Sequence, residues 1–328
     1  MPDDDLALSP PVPPGSSHPR IDTSPIPGWF TWTDQRVFEH VLGRQDDERP
    51  GTLVELGAYL GKSAVVAGEY LRAGEEFVVC DLFGEAAPDE GNSRENQQSY
   101  RTLTRQQFEA NYLGVHRRLP TVLQAPTSRI LEHVPPGSAR FVHIDASHLY
   151  EHVRGDLEAA GTMLRPGGLV VCDDYRSQHT PGVAAAVWAA VQSGAIQPFC
   201  VTPSKLYACT GADAAPHREA LLAWLEEGAE GLRHEVQRVA GTDLVRIWPR
   251  PAPKGPRPEP AAATPSDEVL TRLAALDRRL EGMERRSRRT SRLARAVAPR
   301  RRRSARRLLR GLLPGPVRTA LRRVLGRG

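Results

Sequence analysis

Cysteine is scarce in this 328-residue chain, and long apolar runs are missing altogether. The four cysteines are Cys80, Cys172, Cys200 and Cys209. None forms a CxxC pair, which argues against a zinc ribbon or a dithiol redox motif. Cys80 and Cys172 sit inside apolar stretches, so buried reduced thiols are expected rather than disulfides. The uncharged stretch from Thr180 to Ser204 is interrupted by Pro181, Gly182, Gly194 and Pro198, which makes it a poor membrane span. The opening MPDDDLALSPPVPPGSSHPR has no basic segment followed by an apolar core, so it does not read as a secretory signal. A cytoplasmic protein is expected. Lysine is nearly absent: of 44 basic residues only Lys62, Lys205 and Lys254 are lysines. Aromatic residues stop at Trp248.

Charge is present but unevenly placed. Residues 251–328 carry 22 Lys+Arg and 6 Asp+Glu, against 22 and 33 in the preceding 250 residues. An acidic body, net −11, therefore precedes a basic tail, net +16. Forty per cent hydrophobic residues suffice for a sizeable core. Residues 1–26 are rich in Pro, Ser and Asp and are expected to be disordered. A globular domain is expected over 27–248, followed by a Pro/Ala-rich linker over 249–265. The last segment, 266–328, opens with Val269, Leu273, Leu276, Leu280 and Met283 at coiled-coil spacing, over 266–285. It ends in an Arg-rich stretch with an apolar face at Val317, Leu321, Val324 and Leu325.

Within the body, short apolar runs alternate with helical stretches. A helix is expected over 28–42, with Thr33 as its cap and Val37, Phe38, Val41 and Leu42 on one face. The runs LVEL (53–56), FVVC (77–80), 122–124, FVHI (141–144), LVVC (169–172), 199–202 and 206–209 read as strands. Between them lie helical patterns at 63–73, 107–119, 151–164 and 183–192. The pattern predicts a doubly wound α/β fold, with about seven mostly parallel strands and helices on both faces.

Ligands of such sheets bind beyond the carboxyl ends of the strands. Here those ends carry Glu55, Asp81, Asp145, Asp173 and Asp174. A carboxylate beside a buried strand is costly unless partnered, so the repetition at one topological position points to a site. Gly57 and Gly61 in Glu55-Leu-Gly57-Ala-Tyr-Leu-Gly61-Lys62-Ser63 permit a tight turn and close approach of a ligand to the backbone. The alternative is a purely structural turn. A Walker loop is excluded, because only three residues separate the two glycines. Asp81, 24 residues after Gly57, is placed to accept hydrogen bonds from ribose hydroxyls. Asp145, Asp173 and Asp174 fall on neighbouring strands and must repel one another. They require a cation, a shared proton or separation by water, and an all-oxygen set suits Mg²⁺, Mn²⁺ or Ca²⁺. The alternative is that one or two of them cap the following helices.

The blocks VELGAYLGKSA, VVCDLF, VHIDASHLYEHVRGDL and LRPGGLVVCDDY together resemble the metal-dependent O-methyltransferases of the class I, Rossmann-like fold. The likeness is nearest to those acting on sugars and antibiotic precursors, with catechol methyltransferases more distant. The resemblance implies that Glu55, Gly57, Gly61, Ser63, Asp81, Ser128 and Asp145 bind S-adenosylmethionine. It implies that Asp145, Asp173 and Asp174 hold Mg²⁺ or Mn²⁺. Some sugar-acting members carry a second acid as base where this chain has Ser147, which cannot fill that role. His148 becomes the candidate general base, with His152 and His179 weaker candidates. Trp29, Phe30 and Trp32 form either a lid or ordinary packing. The acceptor implied is a hydroxyl of a sugar, glycan or natural product. Rival readings are an NAD(P)-dependent oxidoreductase, which leaves the three aspartates idle, and a non-catalytic scaffold. For the tail, an anionic membrane surface is the leading partner. A homo-oligomer through 266–285 is a further reading, and nucleic acid is disfavoured because the tail has no aromatic residue to stack on bases.

Overall fold

The computed structural model describes residues 21–45, 49–87, 103–211, 213–229 and 231–250. The chain divides into two units, Met1–Pro251 and Ala252–Gly328, and every described residue lies in the first. The coiled-coil pattern and basic tail expected over 266–328 lie outside the described residues, as does most of the linker. Packing begins before Pro27: Thr23 and Ile26 are buried, and Gln35 donates from Nε2 to the Ile21 carbonyl at 2.9 Å.

The first helix is α1 (Trp32–Gly43). Its cap is Thr31 rather than Thr33: Thr31 Oγ1 accepts from the Asp34 amide at 3.1 Å, while its hydroxyl donates to Asp34 Oδ2 at 2.6 Å. Val37, Phe38, Val41 and Leu42 are all buried, as the sequence predicts. There follow β1 (Thr52–Leu56), α2 (Lys62–Glu69), β2 (Phe77–Asp81), α3 (Arg105–Leu113), β3 (Thr121–Gln124), a 3₁₀ turn (Thr127–Glu132), β4 (Ala139–Ile144), α4 (Tyr150–Met163) and β5 (Leu164–Cys172). Next come α5 (Pro181–Gln192), β6 (Gln197–Val201), β7 (Leu206–Cys209) and α6 (Ala215–Glu226), then β8 (Leu232–Val239) and β9 (Thr242–Pro249). Nine strands form one sheet in the order β3-β2-β1-β4-β5-β7-β6-β9-β8. The seven expected strands are present, and the hairpin β8–β9 extends the sheet beyond them. β3, β2, β1, β4 and β5 are parallel neighbours, while β7 runs antiparallel between β5 and β6.

Alternation along each strand sends side chains to two cores. Leu53, Val79, Phe141, Leu169, Val171 and Tyr207 pack with α1, α2 and α6. Val54, Leu56, Val78, Val142, Ile144, Val170 and Leu206 pack with α4, α5 and the 3₁₀ turn. Both faces are covered, which is why the central strands are continuous apolar runs. Cys80, Cys172, Cys200 and Cys209 are buried free thiols, as expected.

One buried ion pair ties β4 to the approach of β2. Arg140, at the start of β4, donates to Glu75 through Nε and Nη2, both at 2.8 Å, and neither side chain is accessible to solvent. Arg140 also donates to the Tyr70 carbonyl at 2.6 Å and to Gln45. Glu75 in turn accepts from the amides of Gly51 and Arg72 at 2.8 and 3.0 Å. Burial pushes the Glu75 pKa up, but the Arg140 guanidinium outweighs it and holds the carboxyl below its ordinary value. Stability from this group is therefore complete above the ordinary glutamate range and is lost as pH falls through the depressed folded value. Glu75→Gln strands a buried guanidinium and should cost about 3–5 kcal/mol in urea unfolding at neutral pH. The loss should shrink on acidification as wild type itself loses the carboxylate. A change under about 0.5 kcal/mol, the size of an ordinary surface substitution, would show that the pair carries no stability.

Candidate functional site

The carboxyl ends of β1, β2, β4 and β5 converge on one end of the sheet, and the loops there are fixed by backbone bonds between strands. The Gly57 amide donates to the Cys80 carbonyl at 2.8 Å, and the Asp145 amide to the Leu56 carbonyl at 2.7 Å. Gly57 has φ +80°, and a Cβ at that position would lie 2.1 Å from the Asp145 carbonyl oxygen. Glycine is thus required here twice, by backbone conformation and by close approach of the β4–α4 loop. Gly61, φ +90°, opens α2, and a Cβ there would press on the Phe108 ring at 3.0 Å.

Asp81 closes β2 and organises the glycine loop. Its Oδ2 accepts from the amides of Ala58 and Tyr59 at 2.7 and 3.0 Å, and its Oδ1 from the Phe83 amide at 2.7 Å. Burial raises its pKa above the ordinary aspartate value, against the pull of these three amides. Ser128 is exposed on the 3₁₀ turn that follows β3, and Ala125 just before it donates to the Asp81 carbonyl at 3.2 Å. Trp29 is exposed and lies against Tyr59 of the glycine loop, ring centroids 5.4 Å apart. Phe30, by contrast, is buried edge-on against Phe38, and so belongs to the core.

Beneath the loops runs a buried polar chain. β1 and β4 pair Glu55 with His143, both facing α1. The Ser63 hydroxyl donates to Glu55 Oε1, which also lies 2.8 Å from His143 Nδ1. His143 Nε2 lies 3.0 Å from the Lys205 ammonium, and that ammonium lies 2.5 Å from Asp173 Oδ2. Lysine can only donate, so His143 accepts at Nε2 and carries its proton on Nδ1, donating to Glu55. Burial together with the neighbouring Lys205 charge keeps His143 neutral, its pKa well below the ordinary value. Burial raises the Glu55 pKa to about 7. For Lys205, burial opposes the charge, but Asp173, Asp145 and Asp34 outweigh it and raise the pKa above the ordinary lysine value. Asp173 is lowered, chiefly by Lys205 working against burial.

The three expected metal-binding aspartates are not equivalent. Among the described residues, one ligand atom from each of His143, Asp145 and Asp173 lies within 4.8 Å of the others. Asp174 is engaged elsewhere. Its Oδ2 is 3.0 Å from His148 Nε2, and its Oδ1 accepts from the Ser177 hydroxyl at 2.6 Å. These bonds, led by His148, lower the Asp174 pKa to about 2. Asp174 has φ +54°, a left-handed conformation rare outside glycine and asparagine or aspartate, and it turns the carboxylate toward the β4–α4 loop. Asp145 is half-buried, and burial with the Asp173 charge pushes its pKa well up. His152 Nδ1 lies 3.0 Å from Ser147 Oγ, and His179 sits 6.3 Å from the His148 ring.

The sequence reading did not single out His143, Lys205 or Asp34. Asp34 is fully buried and collects Thr202 Oγ1 at 2.5 Å, Ser204 Oγ at 3.0 Å and Tyr207 OH at 3.4 Å. It thereby fixes the turn that presents Lys205. The one available signal for Lys205 was rarity, a lysine in a chain that otherwise uses arginine.

Residues 54–175 match the family model described as a methyltransferase domain. No curated protein matches in sequence. Solved structures that align with this chain include the O-methyltransferase NovP, at 19% identity over 54% of this chain and 78% of that one, TM-score 0.44. A protein from Corynebacterium glutamicum aligns at 13% identity over 58% and 85%, TM-score 0.42. CalS11, a TDP-rhamnose 3′-O-methyltransferase, aligns at 20% identity over 55% and 80%, TM-score 0.38. Residues 54–175, from β1 to just past the end of β5 in a sheet ordered 3-2-1-4-5-7-6, are thus similar to methyltransferase domains.

Proposed function

We propose that the chain transfers the methyl group of S-adenosylmethionine to a hydroxyl oxygen of a small sugar, glycan or natural product. The observation that carries the oxygen acceptor is the His148–Asp174 pair, 3.0 Å apart at the cofactor end of the sheet. An alkyl hydroxyl is a poor nucleophile until its proton is removed, whereas a neutral amine needs no base to attack. A histidine oriented by an ionised carboxylate is suited to that task.

In this reading Gly57 and Gly61 let the cofactor approach the loop backbone, and Asp81 receives the ribose hydroxyls with the lone pairs its three amides leave free. Ser128 lies beside the adenine. Glu55 and Ser63 are buried against each other, and so act by holding the loop rather than by touching the ligand. Asp145, held toward its protonated form by burial and the Asp173 charge, ionises against the sulfonium and offers it a counter-charge. His148 accepts the acceptor proton as the oxygen attacks the methyl carbon in line, and Asp174 stabilises the imidazolium that forms. Positioning of the two reactants supplies much of the acceleration.

A Mg²⁺ or Mn²⁺ ion shared by Asp145, Asp173 and Asp174 fits these residues poorly. Asp174 is held by His148 and Ser177, and the space among His143, Asp145 and Asp173 is reached by the Lys205 ammonium. Outside the described residues, the contrast of +16 against −11 supports peripheral contact of the basic tail with an anionic membrane. No helix among the described residues is long and apolar enough to cross one.

Three outcomes test this reading. Asp81→Ala should weaken S-adenosylmethionine binding by about 1.5–3 kcal/mol in calorimetry, the worth of hydrogen bonds to a charged group. An unchanged dissociation constant in a folded variant contradicts the ribose assignment. His148→Ala and Asp174→Asn should each lower kcat about 10²–10⁴-fold with cofactor affinity within a few-fold. Wild-type kcat should rise with pH until the base is deprotonated, and that limb should vanish in His148→Ala. Full activity without His148 removes it as the base. Finally, full-length protein should sediment with anionic but not neutral liposomes, and less so in salt, since each basic residue near the surface contributes about 1 kcal/mol. Indifference to anionic liposomes at low salt ends the membrane reading.

A further inference from the structure

We propose that Lys205 is a resident cation standing where a divalent metal would otherwise sit among the acids that close β4 and β5, so that this site is built to work without a metal. The proposal rests on the assignment of those acids to the methyl-transfer site.

Geometry makes the argument. Lys205 is inaccessible to solvent, and its ammonium is 2.5 Å from Asp173 Oδ2 and 3.0 Å from His143 Nε2. These are two of the three side chains whose ligand atoms cluster within 4.8 Å, the third being Asp145. A small dication held at its usual oxygen distance of about 2.0–2.1 Å would use the same atoms that Lys205 now occupies and would face its charge at contact range. The ammonium is also 5.5 Å from the centre of the Phe30 ring, on a side closed by the core.

The lysine is held there by its backbone. The Thr202 amide donates to the Lys205 carbonyl, and the Lys205 amide to Thr202 Oγ1, both at 2.9 Å. Thr202 and Ser204 are each bonded to Asp34, which lies buried in α1. To swing Lys205 out, the turn would have to leave the helix. Composition points the same way. In a chain that uses arginine for 41 of its 44 basic residues, this enclosed position carries a lysine. A compact ammonium can take the place of a metal ion between a carboxylate and an imidazole, where a planar guanidinium cannot. A monocation paired with Asp173 leaves Asp145 to face the sulfonium and leaves deprotonation of the acceptor to His148.

The test is Mn²⁺ titration of the full-length chain, read from the free-ion signal by electron paramagnetic resonance. Wild type should show no Mn²⁺ site at the strand ends, and its S-adenosylmethionine dissociation constant should be the same in EDTA and in Mg²⁺. Lys205→Ala, with the ammonium removed, should gain a Mn²⁺ site at least about tenfold tighter than any in wild type, as expected when a like charge leaves a carboxylate cluster. Lys205→Ala/Asp173→Asn should lose it again. A wild-type Mn²⁺ site that Asp173→Asn abolishes overturns the proposal, and so does a folded Lys205→Ala that gains none. If Lys205→Ala fails to fold, the two wild-type measurements decide. The methyltransferase reading fails separately, if wild type does not bind S-adenosylmethionine in either buffer.

Discussion

Carboxylates at the ends of buried parallel strands must each be given a partner, and the rest of this site follows from how that is done. Asp81 is partnered by backbone: three amides converge on it, and in doing so they shape the loop from Gly57 to Gly61. Asp173 is partnered by the Lys205 ammonium, and Asp174 by His148. Asp145 also feels the Lys205 charge, but burial and the Asp173 charge outweigh it and push its carboxyl toward the protonated form. One problem, buried negative charge, is thus solved in four ways along one edge of the sheet. Under the proposed function these differences correspond to different roles: loop organiser, charge anchor, histidine orienter, and the acid left facing the reactants.

The buried chain from Ser63 through Glu55, His143 and Lys205 to Asp173 links these solutions across β1, β4 and β5. Each member depends on the next for its protonation state. A neutral His143 can accept from Lys205 only because its own proton is directed at Glu55. The chain is anchored outside the sheet by Asp34 of α1, whose Phe38 also packs edge-on against His143.

Much of this was legible in the sequence, for a physical reason. A strand covered on both faces must be apolar throughout, so LVEL, FVVC, FVHI and LVVC stand out, and their terminal acids mark the ligand-binding edge. The hairpin β8–β9 was not legible, because β8 is largely exposed and alternates weakly among polar residues. α6 was missed as well, since only Leu221 and Leu225 of its length are buried. The ion pairs were illegible for another reason. Lys205 and Asp173 are 32 positions apart, and Asp34 meets Thr202 across 168. Periodicity reports which face a residue takes, but not which distant side chain it meets there. Hence the strand-end acids were legible, while the lysine paired with Asp173 was not.

The central claim is that this strand edge binds S-adenosylmethionine with Asp81 on the ribose and the sulfur directed toward Asp145. A crystal structure of the S-adenosylhomocysteine complex tests it most directly. The account predicts both ribose hydroxyls within hydrogen-bonding distance of Asp81, the nucleoside lying along the Gly57–Gly61 loop, and the sulfur on the Asp145 and His148 side. A nucleoside bound elsewhere, or ribose hydroxyls that do not reach Asp81, would contradict it.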